Sequence, residues 1–493
     1  MIKELFKDIV KYLPSYIVPA IVGIIAIPIV TRLFPPADYG NYVLVLATVS
    51  ILSAIATAWI SASIIRFFPE YKQSSRLEEL YSTTIRLTLL SVIIISLIFG
   101  CGLFIAQSHL PANLYSLVRI GILVFIITSS SQVMLNLLRA KRQVTWYSSF
   151  TIWHNVAGVG LGIALVVVFG YGIDGLLWGA FLSIVIAFPL LWKIAVEKLS
   201  FSKGSIHPSM SLEMAKYGFP VIAVNLASWV LSLSDRYILQ FFRGSSEVGI
   251  YSVSYAISEQ TIFMIASLFM LASAPIGFSI WESQGAEASR EFLNKLSRYY
   301  LLIGLPAAVG LSVLAKPIIS VLAAPAYFPG YKIIPLVAFG VFLVGIIHRF
   351  SEALAFYKRT DISMCCVSGA ALLNIGLNFL FIPRYGYMAA AATTFIAYAA
   401  DLTAMVILSR RFFVWKFPFK SLGNVTIASA IMGAAVYPVG NIVTSSILIN
   451  LILGICVGVV VYAVMLFLLR EPQKEEVQEL RRLITKLLRK SNS

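Results

Sequence analysis

Eight charged side chains fall inside, or at the ends of, stretches that otherwise read as continuous apolar runs: Arg66, Arg119, Asp235, Arg236, Glu259, Arg349, Glu352 and Asp401. A charge at mid-bilayer costs about 2.5 to 3.5 kcal/mol on insertion scales, so such groups need a partner or a wet cavity and are functional candidates by default. Arginine suits phosphate, because its planar fork donates in pairs and stays protonated. Arg236, Arg349 and Arg66, with Arg119 beside them, are therefore candidates to hold an anion. The carboxylates Glu259, Asp235, Asp401 and Glu352 are candidates to carry a proton or a sodium ion. Local pairing is the competing reading for each: Arg349 lies one turn from Glu352, Arg236 adjoins Asp235, and Arg66 can snorkel to headgroups. His154 and His348 are the only histidines within predicted helices, and a lone histidine is more often a packing residue than a proton relay.

The elements that must hold these groups follow from composition. The 493 residues are 59% hydrophobic and only 12% charged, and mean hydropathy is +0.88, which excludes a soluble chain. Fourteen apolar spans are expected, near 14–34, 40–66, 85–107, 114–137, 147–169, 172–193, 217–243, 249–281, 299–323, 333–356, 362–382, 386–409, 421–441 and 447–469, with ends good to about 2 to 4 residues. They divide the chain into an amphipathic N-terminal segment (1–13), an N-lobe of six helices (14–200), a linker (201–216), a C-lobe of six helices (217–410), a final helix pair (411–470) and an amphipathic tail (471–493). No soluble domain fits between them. Cys101, Cys365, Cys366 and Cys456 lie in apolar runs without metal-binding spacing, so neither a disulfide framework nor a metal site is expected.

Basic residues fix the orientation. With the N-terminus inside, 30 of the 38 lysines and arginines fall in inner loops or at inner helix ends, which puts both termini in the cytoplasm. The net charge of +16 then reflects a membrane face with anionic lipids and requires no nucleic acid. Both tails present apolar faces opposite lysines and arginines and are expected to lie on the inner leaflet.

The chain also repeats itself. Asp38-Tyr39-Gly40-Asn41-Tyr42 recurs as Glu247-Val248-Gly249-Ile250-Tyr251, Lys141-Arg142 as Lys358-Arg359, and Tyr171-Gly172 as Tyr385-Gly386, at displacements of 209, 217 and 214. Six helices separate equivalent points, and six is even. The two lobes should therefore be related by a pseudo-two-fold axis along the membrane normal, with a cleft between them that rocking can expose to either side. Pro19, Pro28, Pro220 and Pro275 lie inside predicted helices, where each removes a backbone hydrogen bond and permits a bend.

Thr31-Arg32-Leu33-Phe34 before Asp38-Tyr39-Gly40, Ser234-Asp235-Arg236-Tyr237-Ile238-Leu239 before Glu247-Val248-Gly249-Ile250-Tyr251, and Ile382-Pro383-Arg384-Tyr385-Gly386 form an ordered set. The set resembles the polysaccharide (O-antigen-type oligosaccharide) flippases of the multidrug/oligosaccharidyl-lipid/polysaccharide exporter superfamily, over residues 1 to about 470. The resemblance implies a transporter, expected to work as a monomer, that moves a polyprenyl-(pyro)phosphate-linked oligosaccharide from the inner to the outer leaflet of the cytoplasmic membrane. Without it, composition and spacing reach only a two-lobed secondary transporter. No GxxxxGK[ST] is present, so a proton or sodium gradient is the expected drive and no cofactor is expected. The rival readings are a multidrug exporter, whose cleft should be apolar with a carboxylate, and a membrane glycosyltransferase or polymerase, which needs an acid/base pair or metal on a substantial loop.

Overall fold

The computed structural model describes residues 2–108, 111–196, 208–442 and 446–473, with the backbone alone for 2–10, 208, 272 and 440–442. The expected apolar face of the N-terminal segment, the linker up to residue 207 and the tail from 474 onward lie outside the described residues. The elements are α1 (Ile2–Leu33), α2 (Pro36–Gln73), α3 (Leu77–Ala106), α4 (Ala112–Ala140), α5 (Val144–Val167), α6 (Asp174–Ala195), α7 (Pro208–Arg243), α8 (Ser245–Val313), α9 (Ala315–Leu322), a 3-10 segment (Pro325–Ile333), α10 (Ile334–Phe356), α11 (Thr360–Ser409), α12 (Phe419–Ile442) and α13 (Ile447–Leu468). No strand occurs among the described residues.

Twelve of these helical stretches are long and apolar enough to cross a membrane. Two of the twelve are long enough for two crossings, and each is broken by a residue with positive φ: α8 at Gly285 (φ 81°) and α11 at Gly386 (φ 57°). The turn expected between residues 281 and 299 is absent as a loop, since the backbone resumes its helix directly after Gly285. At Gly386 a side chain would meet the Glu247 carboxylate, whose Oε2 accepts from the Tyr387 backbone amide at 3.1 Å.

The linker prediction also needs correction. Helix begins at Pro208, a residue well suited to the first turn. Met210 and Met214 then pack with Phe67, Tyr71, Leu137 and Leu191, so the start of α7 belongs to the core of the first lobe. Its far end contributes Ile238 and Leu239 to the core of the second, with α8, α10 and α11. Ile222 still packs against the first of these cores, so Pro220 lies within that stretch, and α7 reaches the second core beyond it.

α2 meets the start of α7 at one end and the start of α8 at the other. At one end Ser63 Oγ donates to the Met214 carbonyl at 2.8 Å, and the Trp59 and Phe219 rings lie 5.1 Å apart. At the other, a Cβ on Gly40 would strike the carbonyl of Ser245, and one on Gly249 would strike that of Pro36. Ser245 Oγ meets Asn41 Oδ1 at 2.6 Å, the Tyr327 hydroxyl donates to Phe34 O at 2.9 Å, and Arg32 Nη2 donates to Val321 O at 3.2 Å. Tyr39 and Tyr327 stack edge to face there, closing that end with aromatic rings.

Candidate functional site

Two sets of polar residues line otherwise apolar helices of the first lobe. On α2 they are Ser50, Ser53, Thr57 and Ser61, and on α4 they are Thr128, Gln132, Asn136 and Arg139. Spacings of three and four place each set on one helical face. The two faces look at each other across a cavity of about 590 Å³, joined by His154 of α5 and Asn225 of α7. Ser129 Oγ donates to Ser53 Oγ at 3.0 Å and Asn136 Nδ2 to Ser61 Oγ at 3.0 Å, which ties the two helices together beside it. Arg139 stands at the end where α4 leaves the apolar region; it is exposed, donates to Asn136 Oδ1 at 3.3 Å and lies 5.7 Å from the Tyr147 ring.

A second cavity, of about 330 Å³, shares Leu46, His154 and Ala180 with the first and continues toward Tyr39 and Tyr42. Together they follow α2 from Ile65 to Tyr39, about 39 Å at 1.5 Å per residue. Gln260 of α8 reaches into this continuation, with its Oε1 buried and unpartnered. His154 Nδ1 lies 3.1 Å from Ser183 Oγ, so this histidine is both anchored and at the cavity wall.

The second lobe holds a larger cavity of about 920 Å³ with a different lining. Tyr255, Phe263, Tyr398, Met364 and Met405 give it an apolar body, while Glu259, Asp401, Asp361 and His348 supply its titratable groups. Asp361 at its mouth is held by Arg359, with Nε 3.0 Å and Nη2 2.9 Å away. Asp401 is 5% exposed, and its Oδ1 has no hydrogen-bond partner.

Arg236 and Arg349, two of the candidates to hold an anion, do not reach the wall of any of these cavities. Arg236 is 4% exposed, lies 3.3 Å from Asp235 Oδ1 and stacks over the Tyr251 and Tyr255 rings at 5.4 and 4.7 Å. Arg349 is 1% exposed and lies 3.7 Å from Glu352 Oε2. Their charges are compensated locally, as desolvated charges must be. Arg66 and Arg119 are exposed and lie against the Phe67 and Tyr115 rings, apart from the other candidates.

Asp235 heads a buried chain of oxygen-bearing groups. Its Oδ2 accepts from the Tyr251 hydroxyl and from Thr394 Oγ1 at 3.4 Å. Thr394 Oγ1 accepts from Asn374 Nδ2 at 3.3 Å, Asn374 Oδ1 accepts from Asn378 Nδ2 at 2.9 Å, and Asn378 Oδ1 accepts from Thr393. Of the charged candidates, then, the structure gathers Glu259 and Asp401 at one cavity and sets Asp235 within this network. A search confined to charges overlooks the uncharged stripes on α2 and α4 and treats Arg139 as one more loop cation.

Residues 5–281 match the family described as polysaccharide biosynthesis protein, more than half of the chain. The chain belongs to that family. Among its similar relatives is a probable low-salt glycan biosynthesis flippase, Agl15, of Haloferax volcanii, 23% identical over 73% of this chain and 75% of that one. A probable flippase, AglR, of the same organism is 24% identical over 72% and 74%. In fold the chain is similar to the lipid II flippase MurJ in an inward closed conformation, with a TM-score of 0.76 and 18% identity over 92% of this chain and 97% of that one. It is also similar to a multidrug resistance MATE family transporter of the MOP superfamily, with a TM-score of 0.66 and 14% identity over 81% and 94%. The chain thus combines this family with a multi-span helical fold, and the relatives named for glycan work are named as probable flippases.

Proposed function

We propose that this protein flips a lipid-linked oligosaccharide from the inner to the outer leaflet of the cytoplasmic membrane by alternating access. The observation that carries the proposal is the cavity between the uncharged stripes of α2 and α4, with Arg139 at its mouth. Serine, threonine, asparagine and glutamine offer donors and acceptors to sugar hydroxyls, and an arginine at the mouth offers a bidentate contact to phosphate. The glycan would travel along this wall while the lipid chain stays in the bilayer.

The breaks at Gly285 and Gly386 support a count of fourteen crossings, with α8 and α11 contributing two each. The contact of Gly40 with Ser245 and of Gly249 with Pro36 supports a pseudo-two-fold axis along the membrane normal, because a two-fold makes each contact occur twice with partners exchanged. In this arrangement both termini and Arg139 lie on the cytoplasmic side, and the Gly40 end faces outward. The chain works as a monomer, and rocking about the Gly40 contact would open one end as the other closes.

The drive is a cation gradient. Glu259 and Asp401 reach the cavity of the second lobe and can exchange protons with it, whereas the oxygens around Asp235 suit a hard cation such as sodium. Deleting the gene tests the function: a lipid-linked glycan should accumulate on the inner leaflet, and mass spectrometry names it. Unchanged lipid-linked glycans would oppose the proposal.

A further inference from the structure

We infer that the lipid carrier moved by this protein bears a single phosphate, joined to sugars without net charge. The inference rests on the flippase reading and sharpens its substrate class. Its basis is the charge along the path. Among the described residues, Arg139 is the one arginine or lysine in the wall of the first-lobe cavity, and the continuation toward Tyr39 holds no charged side chain. The buried arginines do not add to this count, since Arg236 is taken by Asp235 and Arg349 by Glu352.

The opposite lobe offers no relief. Its cavity holds Glu259 and the unpartnered Asp401, and Arg359 outside the wall is already bound to Asp361. Its one basic side chain, His348, is outnumbered by carboxylates. A monophosphate diester carries one negative charge and a diphosphate diester carries two. The first charge finds the Arg139 fork; the second would find no further cation among the described residues of the wall, and carboxylates line the cavity across the cleft, which is costly at membrane depth. The same census limits the sugar. The neutral stripe of Ser53, Thr57, Thr128 and Gln132 pairs with hydroxyls and acetamides, while each acidic sugar would require a cation that the wall lacks.

The test uses the full-length protein in vesicles that carry one neutral sugar on two lipids, polyprenyl monophosphate and polyprenyl diphosphate, with translocation followed by the gain of sugar open to an impermeant labelling enzyme that acts only on the outer leaflet. Wild type should move the monophosphate form at least about tenfold faster. Gln132→Arg places a second cation one turn from Asn136 and should narrow that gap by raising the diphosphate rate. Equal rates on the two lipids, or a faster diphosphate, would overturn the inference while leaving the flippase reading intact. Movement of neither lipid would overturn that reading and this one with it. Should Gln132→Arg not reach the membrane, the wild-type ratio decides alone.

Discussion

Gly40 and Gly249 sit on opposite sides of the boundary between the lobes, each against the carbonyl of the residue that opens the other's helix, Ser245 for Gly40 and Pro36 for Gly249. Pro36 and Ser245 are separated by the same 209 residues as the two glycines, so the contact is reciprocal in sequence as well as in space. Only hydrogen fits at either Cα. Gly40→Val and Gly249→Val are each expected to part the helices, at a cost of about 1 to 3 kcal/mol to the closed contact. The double variant should cost less than the sum, because both changes relieve one contact. Labelling of a cysteine at Thr48 by an impermeant maleimide, in a background without the four native cysteines, checks this. Reactivity from the Gly40 end should rise severalfold in both single variants, and unchanged reactivity would mean that the glycines do not seal it.

Arg349→Ala and Glu352→Ala should each destabilise the protein by about 3 to 5 kcal/mol, since either leaves its buried partner uncompensated. Replacing both by methionine should restore most of that loss. Thermal melting in detergent measures it. Arg119→Ala, at an exposed ring contact, should move the melting temperature little.

The segment after α13 is tied back to the helices by Glu471, which accepts from Arg298 Nε at 3.0 Å and from Asn424 Nδ2 at 2.8 Å. Burial works against ionisation of this carboxyl, but hydrogen bonds from Ser421, Asn424 and Arg298 outweigh it and hold the group below the usual glutamate range. A depressed folded-state value contributes stability above the ordinary pKa of about 4.3 and loses it as pH falls through the lower folded value. Melting temperature should therefore be level between about pH 5 and 7 from this group and fall below that, and Glu471→Gln should lower it at neutral pH and flatten the acid limb. A steep acid limb retained in Glu471→Gln would assign it to other carboxylates.

Asp235→Asn and Asp401→Asn separate the two possible coupling ions. If sodium drives the cycle, Asp235→Asn should abolish sodium-dependent transport, because the asparagine carries no charge to hold the ion among the Thr394 and Asn374 oxygens. If protons drive it, Asp401→Asn or Glu259→Gln should flatten the dependence on a pH gradient while Asp235→Asn leaves it in place. Transport under an imposed sodium or pH gradient reads the outcome directly, and full coupling in all three variants would move the ion site elsewhere.

Much of the architecture is legible in the chain before any coordinates. Hydropathy marks the twelve helical stretches that are long and apolar enough to cross a membrane, and the glycine of the Asp38 repeat proves to be a point of contact with its own copy. The sequence is less informative about the fate of the charges. Arg349 and Glu352 are one turn apart, and spacing alone leaves open whether they face a ligand or each other; exposures of only 1% and 8%, with 3.7 Å between them, favour each other. The polar wall was legible and is easily passed over. Ser50, Ser53, Thr57 and Ser61 recur at helical period, as do Thr128, Gln132, Asn136 and Arg139, but no one of them is costly enough in a membrane to attract notice singly. Which stripes face each other depends on how α2 packs against α4, a tertiary fact outside the reach of periodicity. The helical continuation past residue 281 escaped for a related reason, since Gly285 and the polar residues around it carry the composition of a loop and the backbone of a helix.

The most direct test of the account is translocation of a lipid-linked oligosaccharide across vesicles containing the purified protein, driven by an imposed cation gradient. Wild type should deliver the glycan to the opposite leaflet far faster than empty vesicles do. Arg139→Ala should reduce that rate by about tenfold or more, Arg139→Lys should restore it in part, and Arg119→Ala should leave it unchanged. Translocation no faster than in empty vesicles, or a rate indifferent to Arg139→Ala at normal protein content, would contradict the account.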